Sequence, residues 1–280
     1  MTERRVEANG LTFAVTDVGE GPAVLLLHGW PDSRHLWRHQ VTALSDAGYR
    51  VIAPDLRGFG ESDKPDDVGA YGMRQLLGDV AGILDALEVD NVHVVGHDWG
   101  AALTWYAAQA MPDRVRSMVA VSVGHPAATV PRRQHELSWY MLWFLFPGAA
   151  ERGLPADDWA FYRRWLWDGA TVDDDPDLAR QIADLSRPGA LSAALGWYRA
   201  NIDPARFLSR GRREGQSVSC PVMGVWGSED PTLGEEQMTG SAELVDGPWR
   251  YERLDGVGHW VPAHAAERLS ELLLDFLPRE

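Results

Sequence analysis

Val92-His93-Val94-Val95-Gly96-His97-Asp98-Trp99-Gly100 decides the reading of this chain. An apolar run leads into two glycines placed around an aspartate, and a helical pattern starts at Trp99-Gly100-Ala101-Ala102-Leu103. Strand, tight turn and helix in that order form an elbow, which lifts a nucleophile above the edge of a sheet. Gly96 and Gly100 leave room for the strained turn that such an elbow needs. The tip of an elbow of this kind is commonly serine. Here it is Asp98.

The neighbouring segments supply a sheet for the elbow to stand on. Residues 3–19 read as two strands joined by the turn Asn9-Gly10. Ala23-Val24-Leu25-Leu26-Leu27 is continuously apolar, as a strand buried on both faces must be. It runs into His28-Gly29-Trp30-Pro31. A helix over 37–48 closes at Gly48, and Arg50-Val51-Ile52-Ala53-Pro54 is the next strand. A glycine-rich loop, 55–63, follows it. Leu76, Leu77, Val80, Ile83, Leu84 and Leu87 recur at helical spacing over 73–88. After the elbow, Val115–Val123 reads as one more buried strand.

Strands alternating with helices give a mostly parallel sheet covered on both faces. The alternation stops near Gly124. From 125 to 215 the pattern is helical and rich in tryptophan, with Trp139, Trp143, Trp159, Trp165, Trp167 and Trp197. Strands resume at Pro221–Trp226 and Trp249–Leu254, and an amphipathic helix over 264–277 ends the chain. The expected architecture is an α/β core, residues 1–124 and 216–280, holding eight strands. An inserted helical lid, 125–215, would cover the strand edge where open α/β sheets bind ligands.

Composition narrows the function. The 280 residues are 45% hydrophobic and 24% charged, ordinary values for a globular protein. A net charge of −15 argues against nucleic acid and anionic membranes as partners. No run is long enough for a membrane helix, and Met1-Thr2-Glu3-Arg4-Arg5 lacks an apolar stretch behind it. The lone Cys220 cannot form an internal disulfide, which fits the cytoplasm; opening an apolar run, it reads as a buried small hydrophobe. There is no metal-ligand cluster. The glycines at 58 and 60 are not followed by the Lys-Ser/Thr of a phosphate loop, so no cofactor is expected. A homodimer is compatible with the sequence.

An aspartate nucleophile needs a histidine to activate water and an acid to orient the histidine. Elbow enzymes place them in the order nucleophile, acid, histidine. His259, in Gly256-Val257-Gly258-His259-Trp260, follows a strand and precedes the last helix. Asp230, in Gly227-Ser228-Glu229-Asp230-Pro231, follows the strand that resumes the sheet, with Glu229 as its rival. Ser122-Val123-Gly124 offers no carboxylate at the other usual place. His28, His93 and His97 are read as structural. A carboxylate attacks an sp³ carbon and forms an alkyl ester, which activated water then hydrolyses. The oxyanion of that second step calls for two backbone donors, assigned to Trp99, after the nucleophile, and Trp30. Halide and epoxide oxygen both fit as leaving groups. The epoxide needs an acid from the lid, and a tyrosine that stays protonated suits it. Tyr140, Tyr162 and Tyr198 are the candidates.

These blocks resemble the epoxide hydrolases of the α/β-hydrolase superfamily over nearly the whole chain. His28-Gly29-Trp30-Pro31 is similar to their H-G-x-P loop. Trp37-Arg38-His39-Gln40, the 55–62 loop and Gly96–Gly100 are similar to further family blocks. Haloalkane dehalogenases share part of this core, so Trp99 could line a halide site or wall an epoxide pocket. Ser138–Gly148 and Leu195–Asn201 are similar to the two segments that carry the ring-opening tyrosines. The resemblance therefore implies that Tyr140 and Tyr198 hold and protonate the epoxide oxygen, while Tyr162 packs the lid. It also implies a cis Trp30-Pro31 bond. The family often has a polar residue near Leu145, where this chain is apolar, which bears on pocket shape.

The expected activity is hydrolysis of a small apolar epoxide to a vicinal diol. A haloalkane dehalogenase using the same Asp98, Asp230 and His259 is the alternative; many of these carry Asn where this chain has Trp30. A non-catalytic ligand-binding protein of the same fold is a third reading. Short bromoalkanes separate the first two. The epoxide reading expects no halide release from them, and release would favour the dehalogenase.

Overall fold

A computed structural model describes residues 3–169, 171, 173–207 and 215–278. Eight strands form one sheet: β1 (Glu3–Ala8), β2 (Leu11–Val18), β3 (Ala23–Leu27), β4 (Arg50–Pro54), β5 (Val92–His97), β6 (Val115–Val121), β7 (Val222–Gly227) and β8 (Trp249–Leu254). Their spatial order is β1-β2-β4-β3-β5-β6-β7-β8. β2 is antiparallel to β1 and to β4, and every other pairing is parallel. Every residue of β3, β5 and β7 is buried, which is why β3 and β7 read as unbroken apolar runs and β5 as one interrupted only by the hydrogen-bonded His93 and His97.

The helices on the two faces are α1 (Arg38–Asp46), α2 (Met73–Ala86) and α3 (Trp99–Ala110). The segment between β6 and β7 follows with α4 (Arg132–Leu137), α5 (Trp139–Phe144), α6 (Ala149–Gly153), α7 (Ala156–Leu166), α8 (Pro176–Leu185), α9 (Ala190–Asn201) and α10 (Pro204–Phe207). No strand interrupts these helices among the described residues. The chain closes with α11 (Glu235–Gly240), α12 (Val261–His264) and α13 (Ala266–Phe276).

Two boundaries and the burial of Cys220 differ from the sequence reading. β6 ends at Val121, because Ser122 turns into the left-handed region with φ of 72°. The last helix is two: Ala265, at φ −126° and ψ 41°, breaks it between α12 and α13. Cys220 is half-buried just before β7. The expected lid boundary at 215 abuts 208–214, outside the described residues.

The helical segment is fastened to loops that leave the carboxyl ends of β3 and β4. Ser33 Oγ donates to Asp184 at 3.1 Å, and the Trp197 indole donates to the Arg57 carbonyl at 2.9 Å. The Met73 amide donates to Asn201 Oδ1 at 2.8 Å. Arg57 is itself anchored: its Nε donates to Asp79 Oδ2 of α2 at 2.8 Å, and both side chains are buried. Asn9 donates to the same carboxylate at 2.8 Å. Removing one member of a buried pair strands the other charge. We therefore predict that Asp79→Ala costs about 3–5 kcal/mol in urea unfolding. A loss below about 1 kcal/mol would mean that Arg57 finds solvent easily.

Candidate active site

Asp98 joins β5 to α3 with φ of 53° and ψ of −122°, a strained backbone that turns its side chain off the sheet edge. The turn is closed by near-contact with β3. A Cβ on Gly100 would lie 2.0 Å from the Leu27 carbonyl oxygen, and one on Gly29 would lie 2.2 Å from Asp98 Oδ1. Only glycine lets the three segments approach this closely.

Four loops at the carboxyl ends of strands meet here. After β3, the Trp30 amide donates to Asp98 Oδ1 at 2.7 Å. The Trp99 amide, opening α3, also donates to the Asp98 carboxylate. After β8, His259 places Nε2 3.8 Å from Asp98 Oδ2. After β7, Asp230 Oδ2 accepts from His259 Nδ1 at 2.7 Å. Asp230 is locked in turn, because Oδ1 accepts from the Thr232 amide and hydroxyl, both at 2.9 Å, and from the Leu233 amide at 3.0 Å. Of the two acids considered, Asp230 and not Glu229 meets the histidine. The Trp30-Pro31 bond is cis.

The three histidines read as structural, His28, His93 and His97, have structural partners. His28 bridges the Gly29 carbonyl and the Leu56 amide, each at 2.9 Å. His93 pairs with Ser117 of β6 at 2.8 Å. His97 donates from Nε2 to the His259 carbonyl at 2.9 Å, and Ser122 Oγ donates to the same carbonyl at 3.2 Å. These two contacts fix the backbone of the histidine loop. Nothing singled them out in the sequence, since one is a strand residue and the other a turn serine.

Tyr140 of α5 and Tyr198 of α9 are buried near Asp98, with their rings edge to face and centroids 6.1 Å apart. The Trp99 and Tyr198 rings also meet edge to face, at 5.2 Å. Tyr162 donates to Gln181 within the helical segment, as packing requires. A cavity of about 440 Å³ opens onto Asp98 and Trp99. Its wall is mostly apolar, with Met73, Val130, Met141, Ile202 and Phe207. Tyr140 and Tyr198 are not in that wall. Phe144, 5.0 Å from Tyr198, and Trp165, 4.9 Å from Tyr140, pack against the tyrosines instead.

Burial dominates the electrostatics. It raises the Asp98 pKa, and His259 with the Trp99 and Trp30 amides offsets part of that rise. Burial alone would lower His259. The charge and hydrogen bond of Asp230, with Asp98 and Asp32 behind them, outweigh it and bring His259 to about 9. Tyr140 and Tyr198 rise well above 10, through burial first and nearby negative charge second, so both stay protonated. Among the described residues no group of His, Cys, Asp and Glu could hold a metal ion, and no helix is long and apolar enough to cross a membrane.

Comparison with known proteins agrees with this architecture. The family described as alpha/beta hydrolase fold matches residues 22–264. Epoxide hydrolase A of Mycobacterium tuberculosis is 34% identical, over 99% of this chain and 97% of its own length. Epoxide hydrolase 2 of Siraitia grosvenorii is 43% identical, over 98% and 97%. A solved structure reported among novel epoxide hydrolases from metagenomes of hot environments superposes with a TM-score of 0.84 at 29% identity, covering both chains completely. The chain belongs to the α/β-hydrolase fold family and, within that superfamily, to the epoxide hydrolases.

The raised His259 pKa has a measurable sign. Protonated His259 adds stability that is complete below its ordinary pKa of 6.5 and is lost as pH climbs through about 9. The stability gap between wild type and His259→Gln should therefore be widest below pH 6.5 and shrink toward pH 9, by on the order of 3 kcal/mol. An imidazole NMR titration should place the midpoint near 9, and a midpoint at 6.5 would contradict the coupling to Asp230.

Proposed function

We propose that this epoxide hydrolase works in two steps through an ester on Asp98. The single observation that carries the reading is the unequal treatment of the two Asp98 oxygens. Oδ1 is held by the Trp30 amide at 2.7 Å, while Oδ2 faces His259 at 3.8 Å. Oδ2 is the attacking atom. It forms a bond to an oxirane carbon as the carbon–oxygen bond breaks, and the electron pair goes to the ring oxygen. Tyr140 and Tyr198 hold that oxygen, and one of them gives it a proton.

The product of this step is a neutral ester beside a tyrosinate. Esterification removes the Asp98 charge, one of the influences that keep His259 protonated. His259 then gives up its proton, which restores the tyrosine, and becomes a base oriented by Asp230. It takes a proton from water, whose oxygen attacks Asp98 Cγ. Charge develops on Oδ1, where the Trp30 amide already points, and the Trp99 amide supports the same carboxylate. Collapse breaks the bond from Cγ to the alkyl oxygen. It releases a vicinal diol and returns the carboxylate and the protonated histidine.

We read residues 125–215 as a cap over a core made of 1–124 and 216–280. The cap brings Tyr140 and Tyr198 to the elbow, and the apolar wall suits a small apolar epoxide. Every reacting group comes from one chain, whether or not two copies pair. The single Cys220 supports a cytoplasmic setting. The Trp99 ring packs edge to face on Trp197 and Tyr198, which favours a pocket wall over a halide donor.

A single turnover in ¹⁸O-water tests the ester. The diol should leave with an unlabelled new oxygen, and the label should stay in Asp98; label in the first diol would exclude the ester. Tyr140→Phe and Tyr198→Phe should each slow ring opening by about 10²–10⁴-fold, read as the pre-steady-state rate of ester formation. Unchanged rates in both would remove the tyrosines from the reaction.

A further inference from the structure

Asp32 is a third buried carboxylate near His259, and neither step of the reaction uses it. It follows Pro31 on the loop that supplies the Trp30 amide. Its Oδ1 accepts from Gln181 Nε2 of α8 at 2.8 Å, and its Oδ2 accepts from the Trp260 indole at 3.0 Å. Gln181 Oε1 accepts in turn from the Trp167 indole at 3.1 Å and from the Tyr162 hydroxyl. Trp167, just after α7, closes the circuit by stacking on Trp260, with centroids 4.6 Å apart and planes at 26°. Trp260 is the neighbour of His259 and sets its ring edge to face against the imidazole, at 5.2 Å and 87°. All of these side chains are buried.

A buried carboxylate is expensive unless donors compensate it. Burial lifts Asp32 to about 7, while Gln181 and Trp260 pull it down. One of these donors comes from the helical segment and the other from the histidine loop, so the carboxylate ties the two together. The loop backbone is already held from the sheet side by His97 and Ser122, and the ring by Asp230. The Trp167 stack and the Asp32 bond act on the opposite side, through Trp260.

We propose that Trp167 and Gln181 of the helical segment are positioning residues for the second step: through Trp260 they hold the His259 imidazole at the angle from which it deprotonates water. The proposal rests on the ester mechanism above. Ring opening uses Asp98 and the two tyrosines, which these residues do not bond. A small error in the placement of a catalytic base costs heavily in the step that uses it. The two steps should therefore respond differently.

The test measures ester formation and ester hydrolysis separately, by acid quench and intact mass, in wild type, Trp167→Ala, Gln181→Leu and Trp167→Phe. Hydrolysis should fall by about 10-fold or more in the first two variants, with formation changed by less than about 3-fold, so that ester accumulates. Trp167→Phe keeps a ring on Trp260 and loses the indole bond, and should lie between. The pH profile of hydrolysis supplies a readout that simple loosening would not move. His259 is faced by Asp230 after β7, Asp98 at the elbow, Asp32 after β3, His97 of β5 and His264 of α12. Gln181→Leu removes a donor from Asp32, which then protonates more readily and supports the histidine charge less. The hydrolysis midpoint should move to lower pH.

Equal slowing of both steps with an unmoved midpoint would overturn the proposal, as would hydrolysis at the wild-type rate. Should Trp167→Ala or Gln181→Leu fail to fold, Trp167→Phe carries the comparison of the two rates. Absence of ester in every enzyme, wild type included, would overturn the two-step mechanism and this proposal with it.

Discussion

Burying the Asp98 carboxylate at the end of β5 costs several kcal/mol unless its charge is compensated. Most features of the site are compensations of that one charge. The Trp30 and Trp99 amides point at it, which requires the loop after β3 and the start of α3 to converge within contact distance. That convergence leaves no room for a Cβ at Gly29 or Gly100. A protonated His259 faces the other oxygen, and its own burial is offset by Asp230, which three further donors hold in place. Withdrawing one partner leaves the next charge exposed to a low-dielectric interior. Asp98, His259 and Asp230 are therefore a single electrostatic unit delivered by three strand ends.

In the two-step reaction we propose, the same unit explains why one histidine can serve both steps. While Asp98 is charged, His259 is held protonated and supports the nucleophile. Once Asp98 is esterified that support is withdrawn, and the histidine can act as a base. The switch follows from the charge state of the nucleophile. The tyrosines work by the opposite principle: burial keeps their protons on until a strongly basic alkoxide forms next to them.

Much of this was legible in the sequence, for identifiable reasons. Fully buried parallel strands must be continuously apolar, so β3 and β5 announced themselves, and the spacing of Gly96, Asp98 and Gly100 marked the elbow between β5 and α3. The order nucleophile, acid, histidine picked out Asp230 and His259. The choice against Glu229 needed geometry, because adjacent acids at a strand end differ only in where the turn points them. The end of β6 was read two residues late, since a left-handed serine leaves no trace in an apolar count. The Asp32 circuit was out of reach: its members stand at 32, 162, 167, 181 and 260, and only the packing of α7 and α8 on the strand ends brings them together. The sequence likewise could not show that the Tyr140 and Tyr198 rings pack edge to face on each other.

The claim that organises all of this is that Asp98 becomes covalently attached to its substrate. The most direct measurement is peptide mapping of His259→Gln after exposure to a terminal epoxide. The account predicts a stable mass increase equal to the whole epoxide, located at Asp98 on the peptide that carries the elbow. An unmodified Asp98 in a folded, substrate-exposed enzyme, or an increase located on another residue, would contradict it.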